Sequence, residues 1–327
     1  MKGDFTRSTF RDKKHYSSVR MQQGRVALDA DWNEQVDINQ HLLETGTKDM
    51  IGPSGVPINN EGAGDGFKIM PDGSDLRINS GSIYVDGILC ENPDDKLLIT
   101  KQEDLPDYVL NMAPGKYLAY LDVWQRHITA IEDPDIREVA LGGPDTATRT
   151  KTVWQAKLLK LTEMDGLNCI SVLQKKDWTD LSAESGFMSA FIKTVTPDKN
   201  PCVISPTSGY KRLENQLYRV EIHKKGKSGD ATFKWSRDNG SMVFAINKFF
   251  IKEPKKIELE NLGRNKSPSL SPGQWVEILG DSTELWGKPG TIALIVDVDP
   301  ASRIITLNTD ISGNDQNGIP MVHPKVR

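Results

Sequence analysis

Four acidic residues, Asp29, Asp31, Glu34 and Asp37, form the densest set of side chains in this sequence that could move protons or hold a cation. Their spacing puts Asp31 and Glu34 on adjoining faces of a helix. No histidine accompanies them at ligand spacing, and acidic residues in a first helical turn are what the helix macrodipole favours. A helix start is therefore preferred to a metal or acid–base centre. Asp133, Asp135 and Glu138, around Pro134, lie between a strand and the turn Gly142-Gly143-Pro144, and read as a solvated loop.

The remaining chemistry-bearing residues fail their spacing tests. His15, His41, His127, His223 and His323 form no H-x-H or H-x-x-x-H pair. Cys90, Cys169 and Cys202 are odd in number, and a composite zinc site of Cys169, Cys202 and His223 lacks the C-x-x-C pair of structural zinc sites. In a reducing compartment they are most simply buried thiols. Gly62-Ala63-Gly64-Asp65-Gly66 lacks both the G-x-G-x-x-G spacing and a following helix to present to a phosphate. Gly263-Arg264-Asn265-Lys266-Ser267 lacks a glycine directly before the lysine, and no G-x-S-x-G elbow occurs. No catalytic residue, metal site or cofactor is assigned, and an enzyme is not expected. Trp124, Trp154, Trp178, Trp235, Trp275 and Trp286 lie in or beside expected strands, and read as core more readily than as a sugar-binding groove.

The elements that would position these residues are short. Residues 1–27 read as an extended polar arm with a turn at Gly24. Leu28, Trp32, Val36, Asn39 and Leu43 then follow at helical spacing. Asp31 is the expected N-cap, with Glu34 three residues on as in a capping box. Gly46 or Gly52-Pro53 would end this helix, the one long helix expected. Strands follow at Phe67–Met70, Asp75–Ile78 and Ser82–Cys90, the last carrying an Asp86-Gly87 turn signal. The run 116–131 is apolar on both faces, which predicts a central strand covered on both sides, and Val153–Leu161 is a second. Residues 162–210 show no period and read as a loose connection.

Tyr218, Val220 and Ile222 alternate in phase with Phe233 and Trp235, which predicts a hairpin with those side chains facing a core and Arg219, Glu221 and Lys234 facing water. After a charged connection (Lys252–Ser271), Trp275–Leu279, Thr291–Val298 and Arg303–Asn308 suggest a small barrel or sandwich corner. The fold class is thus mainly β: an arm and helix (1–50), a first β-module (51–161), a connection (162–210) and a second β-module with a barrel-like end (211–327).

Composition agrees with a globular chain. Of 327 residues, 37% are hydrophobic and 26% charged, and 41 basic residues against 45 acidic ones give a net charge of −4. That balance exerts no global pull on nucleic acid or an anionic membrane. No apolar signal core opens the chain and no stretch is long enough for membrane insertion, so synthesis in the cytoplasm is expected, with release by lysis or a dedicated machine.

Longer runs carry a family resemblance. Lys2-Gly3-Asp4-Phe5-Thr6-Arg7, H-Y-S-S-V-R-M-Q-Q-G-R-V-A-L-D-A-D-W-N-E-Q (15–35), D-T-A-T-R-T-K-T-V-W-Q (145–155), E-N-Q-L-Y-R-V-E-I-H (214–223) and A-T-F-K-W-S-R-D-N-G-S (231–241) resemble an uncharacterised bacterial family associated with phage-tail-like contractile injection clusters and phage tail and baseplate proteins. The resemblance implies a structural part of such a particle, a baseplate, cap, plug or fibre-attachment protein, whose partners are the other particle proteins. It carries over no catalytic residue. Arm and first helix would be the docking element, with Val19, Arg20, Met21, Gln22, Gln23, Arg25, Asp31, Trp32 and Glu34 as the candidate contacts. A carried cargo protein and a carbohydrate-active hydrolase are the rival readings. The sequence stops at His323-Pro324-Lys325-Val326-Arg327 with no closing element expected there.

Overall fold

The computed structural model describes residues 2–59, 62–162, 169–183, 186–189, 217–227, 229–263, 270–315 and 318–327. Helix α1 spans Asp29–Ile51. Its N-cap is Leu28, which makes no side-chain cap bond; Asp29 and Asp31 sit in the first turn, where their charge suits the helix dipole. The expected N-cap at Asp31, with its capping box to Glu34, is therefore replaced by an N-cap three residues earlier. Gly46 is carried inside the helix, and Gly52 ends it with φ 91° and an N–H bonded to Lys48 O.

Small antiparallel sheets follow. Strands β1 (Ser54–Gly55), β6 (Gly81–Val85) and β7 (Ile88–Asn92) form one; β4 (Ile69–Asp72), β5 (Asp75–Ile78) and β8 (Leu97–Leu98) form another. A two-residue pair, β2 (Ile58–Asn59) with β3 (Gly62–Ala63), fills the glycine-rich stretch. Gly66 lies there because a Cβ would meet Ser82 O at 2.7 Å, so close backbone packing and not anion binding explains that glycine. The turn signal read within Ser82–Cys90 is a hairpin between β6 and β7, turning at Asp86 and Gly87, both at positive φ.

Strands β9 (Tyr117–Ile128) and β10 (Arg149–Lys160) form a long ribbon, paired from Tyr117↔Lys160 to Ile128↔Arg149. The expectation of a central strand is corrected, since β9 pairs with β10 alone among the described residues. Both faces are covered all the same. Leu121, Val123, Trp154 and Leu158 pack on a core of Phe67, Ile78, Cys90, Ile99 and Ala156. On the other face Arg126 and Gln155 reach the second half of the chain.

Short helices α2 (Cys169–Val172) and α3 (Lys176–Ser182) occupy the described part of the expected connection, most of which lies outside the described residues. Strands β11 (Tyr218–Lys224) and β12 (Thr232–Arg237) make the expected hairpin. Then β13 (Phe244–Phe249), β14 (Lys256–Leu259), β15 (Trp275–Leu279), β16 (Thr291–Asp299), β17 (Ile304–Leu307) and β18 (Lys325–Val326) close a six-stranded barrel in the order β13-β14-β17-β16-β15-β18. Alternate residues point inward: Ile257 and Leu259, Val276 and Ile278, Ala293 and Ile295, Ile305 and Leu307. Each large aliphatic buried there contributes about 1.5–3 kcal/mol.

Two sequence expectations fail in the barrel. The charged connection contains β14, whose Lys256 and Glu258 alternate with the buried pair. The chain end supplies the closing element, since Lys325 and Val326 pair with both β13 and β15.

Candidate functional site

The arm is tied to α1 along one flank. Thr6 donates through its N–H (3.0 Å) and hydroxyl (2.6 Å) to Asp29, holding that carboxyl below its ordinary range. Thr9 Oγ1 donates to Glu34 (2.5 Å), the Phe10 ring meets His41 at 5.6 Å, and Val19 N–H donates to Gln35 (2.8 Å). The acidic stretch Asp29–Asp37 thus fastens the arm and gathers no metal ligands. Gln40 and Glu44 turn toward the body, where Gln125 donates to Glu44 (3.1 Å) and Lys48 pairs with Asp86 (2.9 Å).

The third face of α1 has no cover among the described residues. Trp32 is 76% exposed, and Val36, Leu43 and Met50 are exposed beside it. Their separations of four, seven and seven residues are those of a coiled-coil seam, with Asn39 and Gly46 at the intervening seam positions. Val19, Arg20, Met21, Gln22, Arg25 and Asp31 line one shallow surface depression at the foot of this face. Of the expected docking contacts, Gln23 is exposed outside that depression, Trp32 stands on the seam, and Glu34 is withdrawn to Thr9. The helical spacing of Trp32, Val36 and Leu43 was visible in the sequence, but which side stayed open was not.

The hairpin reverses its expected orientation. Register is as read, with Val220 opposite Trp235 and Ile222 opposite Phe233. However, Tyr218, Val220, Ile222, Phe233 and Trp235 face outward, Trp235 with 59% of its surface open. The charged face lies inward because it finds partners there. Lys234 is clasped by Glu277 of β15 (2.5 and 2.6 Å), and Glu221 binds Lys2 of the arm (2.9 Å) and Arg219 (3.2 Å). Trp32, Trp235 and Trp275 are exposed, so core packing explains only the half-buried tryptophans. Among these, Trp154 donates to Glu91 O (3.0 Å) and Trp286 to Pro106 O (2.9 Å).

Beneath the hairpin lies an ionic centre that sequence reasoning missed. Arg126 of β9 donates to Asp281 (2.6 Å) and Glu284 (3.1 Å) of helix α4, Asp281–Leu285. Lys325 of β18, with a side chain only 2% exposed, joins Glu132 and Glu284 (2.8 Å to the latter). Glu132 also accepts from Thr129 N–H (2.9 Å), and His323 Nδ1 lies 2.6 Å from Asp281. Burial would raise Glu284, but Lys325, Arg327 and Arg126 outweigh it and hold the carboxyl at about 2. Burial opposes ionisation of Glu132 as well, and Lys325 with Thr129 lowers it below its usual range. Glu132, Asp281 and Glu284 bring their oxygens within 4.8 Å of one another, close enough for a cation. Arg126 and Lys325 already supply the positive charge, so the cluster is an ion-paired staple between ribbon and barrel.

The other sequence candidates are structural. Asp133 Oδ1 accepts from Asp135 N–H (3.1 Å) in a short 3₁₀ turn. His127 touches Thr148 (2.7 Å) and the Phe5 ring, and His223 meets Gly290 O (3.0 Å). Burial pushes the Cys90 thiol up to about 11, the behaviour of an inert core residue. Cys202, the Cys169 side chain and residues 264–269 of the lysine loop lie outside the described residues.

Fold and site together define a β-rich protein in which an arm-strapped helix and a ribbon-based module are stapled to a closed barrel, with apolar faces left open on helix and hairpin. The chain belongs to a family of unknown function (DUF6519), matched over residues 1–179 and 167–327. No curated protein and no solved structure matches it. Among the described residues no helix is long and apolar enough to cross a membrane.

Proposed function

We propose that this chain is a structural docking component of a phage-tail-like contractile injection particle, held by the open seam of α1 against a helix of a neighbouring particle protein. The observation that carries the reading is the exposure of Trp32, Val36, Leu43 and Met50 at heptad separations on a helix that the arm and the body hold at other points. A seam of this kind is satisfied by a second apolar helix seated knob-into-hole. Contiguous exposed apolar surface on a folded protein marks an interaction site. The resemblance of residues 2–35 to tail-associated proteins supplies the particle. A hydrolytic role finds less support, because Glu132, Asp281 and Glu284 are engaged by Arg126 and Lys325.

A photo-crosslinking residue placed at Leu43 in particle-producing cells tests the reading. The expected product is a single discrete adduct with one particle protein. Adducts absent at Leu43 but present from a body position such as Lys256 would place the contact elsewhere.

A further inference from the structure

The ionic centre forms one wall of a cleft of about 410 Å³ between the hairpin underside, β9, the barrel and the arm. Its charged groups divide into two sets. At one end Arg126 and Lys325 are matched by Glu132, Asp281 and Glu284, and Lys234 is matched by Glu277. At the other end Lys2 and Arg219 share the single carboxylate of Glu221. Arg327 there has only a long approach of 3.6 Å to Glu284. Lys2 and Arg219 thus share one carboxylate, and Arg327 leans on one that Arg126 and Lys325 already engage.

Lys2 donates to Glu221, and Arg219 uses Nη1 on Asn239 (3.4 Å) and Nη2 on Glu221, but some donors in this corner stay open. Nε of Arg327 and Nε of Arg219 are shielded from solvent with no acceptor among the described residues, and Arg327 Nη1 faces Glu284 only at 3.6 Å, beyond hydrogen-bond distance. Buried charged donors without acceptors are costly, and water or an ion commonly accepts from them. The two stems converge over Gly240, whose missing Cβ would stand 3.8 Å from Arg327 Cδ and 4.0 Å from Arg219 Cδ. The backbone fixes both arginines. Arg327 exchanges two hydrogen bonds with Glu277 (2.9 Å each), and Arg219 pairs with Ser236 across the hairpin. The potential is felt by its neighbours: burial first and then Arg327 lower the Lys2 ammonium, while burial lowers His127, with Glu132 opposing and Arg327 and Lys325 assisting.

We infer that the corner of the cleft between Lys2, Arg219 and Arg327 binds a small oxyanion, a carboxylate or a phosphate group. Guanidinium donors suit such groups because they offer paired N–H vectors to two oxygens. An anion there would accept from the open Nε donors.

The test uses the full chain with inorganic phosphate and, separately, acetate as probes, titrated calorimetrically against chloride at matched ionic strength. Saturable binding of at least one probe is expected, weakened about tenfold or more by Arg327→Gln and by Arg219→Gln. Lys256→Gln, on the outside of the barrel, should leave it unchanged. Which probe binds tells phosphate from carboxylate. Having two arginine variants guards against one that fails to fold. The inference is overturned if neither probe binds the native chain saturably, or if binding survives in the folded arginine variants.

Discussion

Replacing Lys325 by methionine keeps the buried stem and removes the charge. Glu132 and Glu284 then face each other with one cation fewer, in a place where their side chains are 6% and 23% exposed. Breaking one partner of a buried ion pair costs about 3–5 kcal/mol. The Glu284 carboxyl gives a wider view of the same cluster. Its value of about 2 against an ordinary 4.5 corresponds to about 3 kcal/mol at 1.36 kcal/mol per unit. That figure is the net of burial with Lys325, Arg327 and Arg126 together, so Lys325 supplies only part of it.

The pH dependence follows from the direction of that shift. A carboxyl depressed in the fold stabilises fully above its unfolded value near 4.5, and that stabilisation is lost as pH falls through about 2. Urea unfolding of native and Lys325→Met chains, followed by tryptophan fluorescence, should therefore show a gap of about 3–5 kcal/mol at about pH 7. The gap should narrow steadily once the pH drops below about 4.5. A gap that stays constant down to about pH 3 would mean that packing, not charge pairing, accounts for the loss, and would refute the staple.

Other perturbations have equally definite outcomes. Trp235→Ala should cost less than about 1 kcal/mol, whereas Lys234→Ala, which strands Glu277 with its 6% exposed side chain, should cost about 2–3 kcal/mol; thermal melts showing the reverse order would restore the hairpin's apolar face to a core. Gly87→Ala places a Cβ 2.0 Å from Glu44 O at φ 88° and should cost about 2 kcal/mol or more, measured by chemical denaturation. The Cys90 thiol, raised to about 11, should resist iodoacetamide in the native chain and react once the chain is unfolded, read by peptide mass spectrometry.

How far the sequence speaks depends on the range of the forces involved. The register of β11 and β12 was legible because side-chain alternation is local. Their facing was not, because it is decided by Lys2 and Glu277, far away in the chain. Strands β15, β16 and β17 were visible as apolar alternation between turns. Strands β14 and β18 were hidden, the first by Lys256 and Glu258, the second by its two-residue length and a lysine that normally signals solvent. Lys325 is buried where Glu284 and Glu132, the latter 193 positions earlier, meet it. The staple's members are spread from 126 to 325, so no spacing rule could gather them. On α1 the seam residues Trp32, Val36, Asn39 and Leu43 were readable as a helical face, while Met50 lay beyond Gly46, a possible helix end. That the arm and the ribbon would claim the other faces and leave this one open required the folded chain.

The docking claim is most directly tested by exchanging the native chain for a Trp32→Asp, Leu43→Asp double variant in cells that assemble the tail-like particle, then sedimenting intact particles. Both residues are exposed, so the variant should melt within a few degrees of the native protein. The account predicts that the native chain sediments with the particles while the folded variant stays in the supernatant. Equal recovery of both chains in the particle fraction, or of neither, would contradict it.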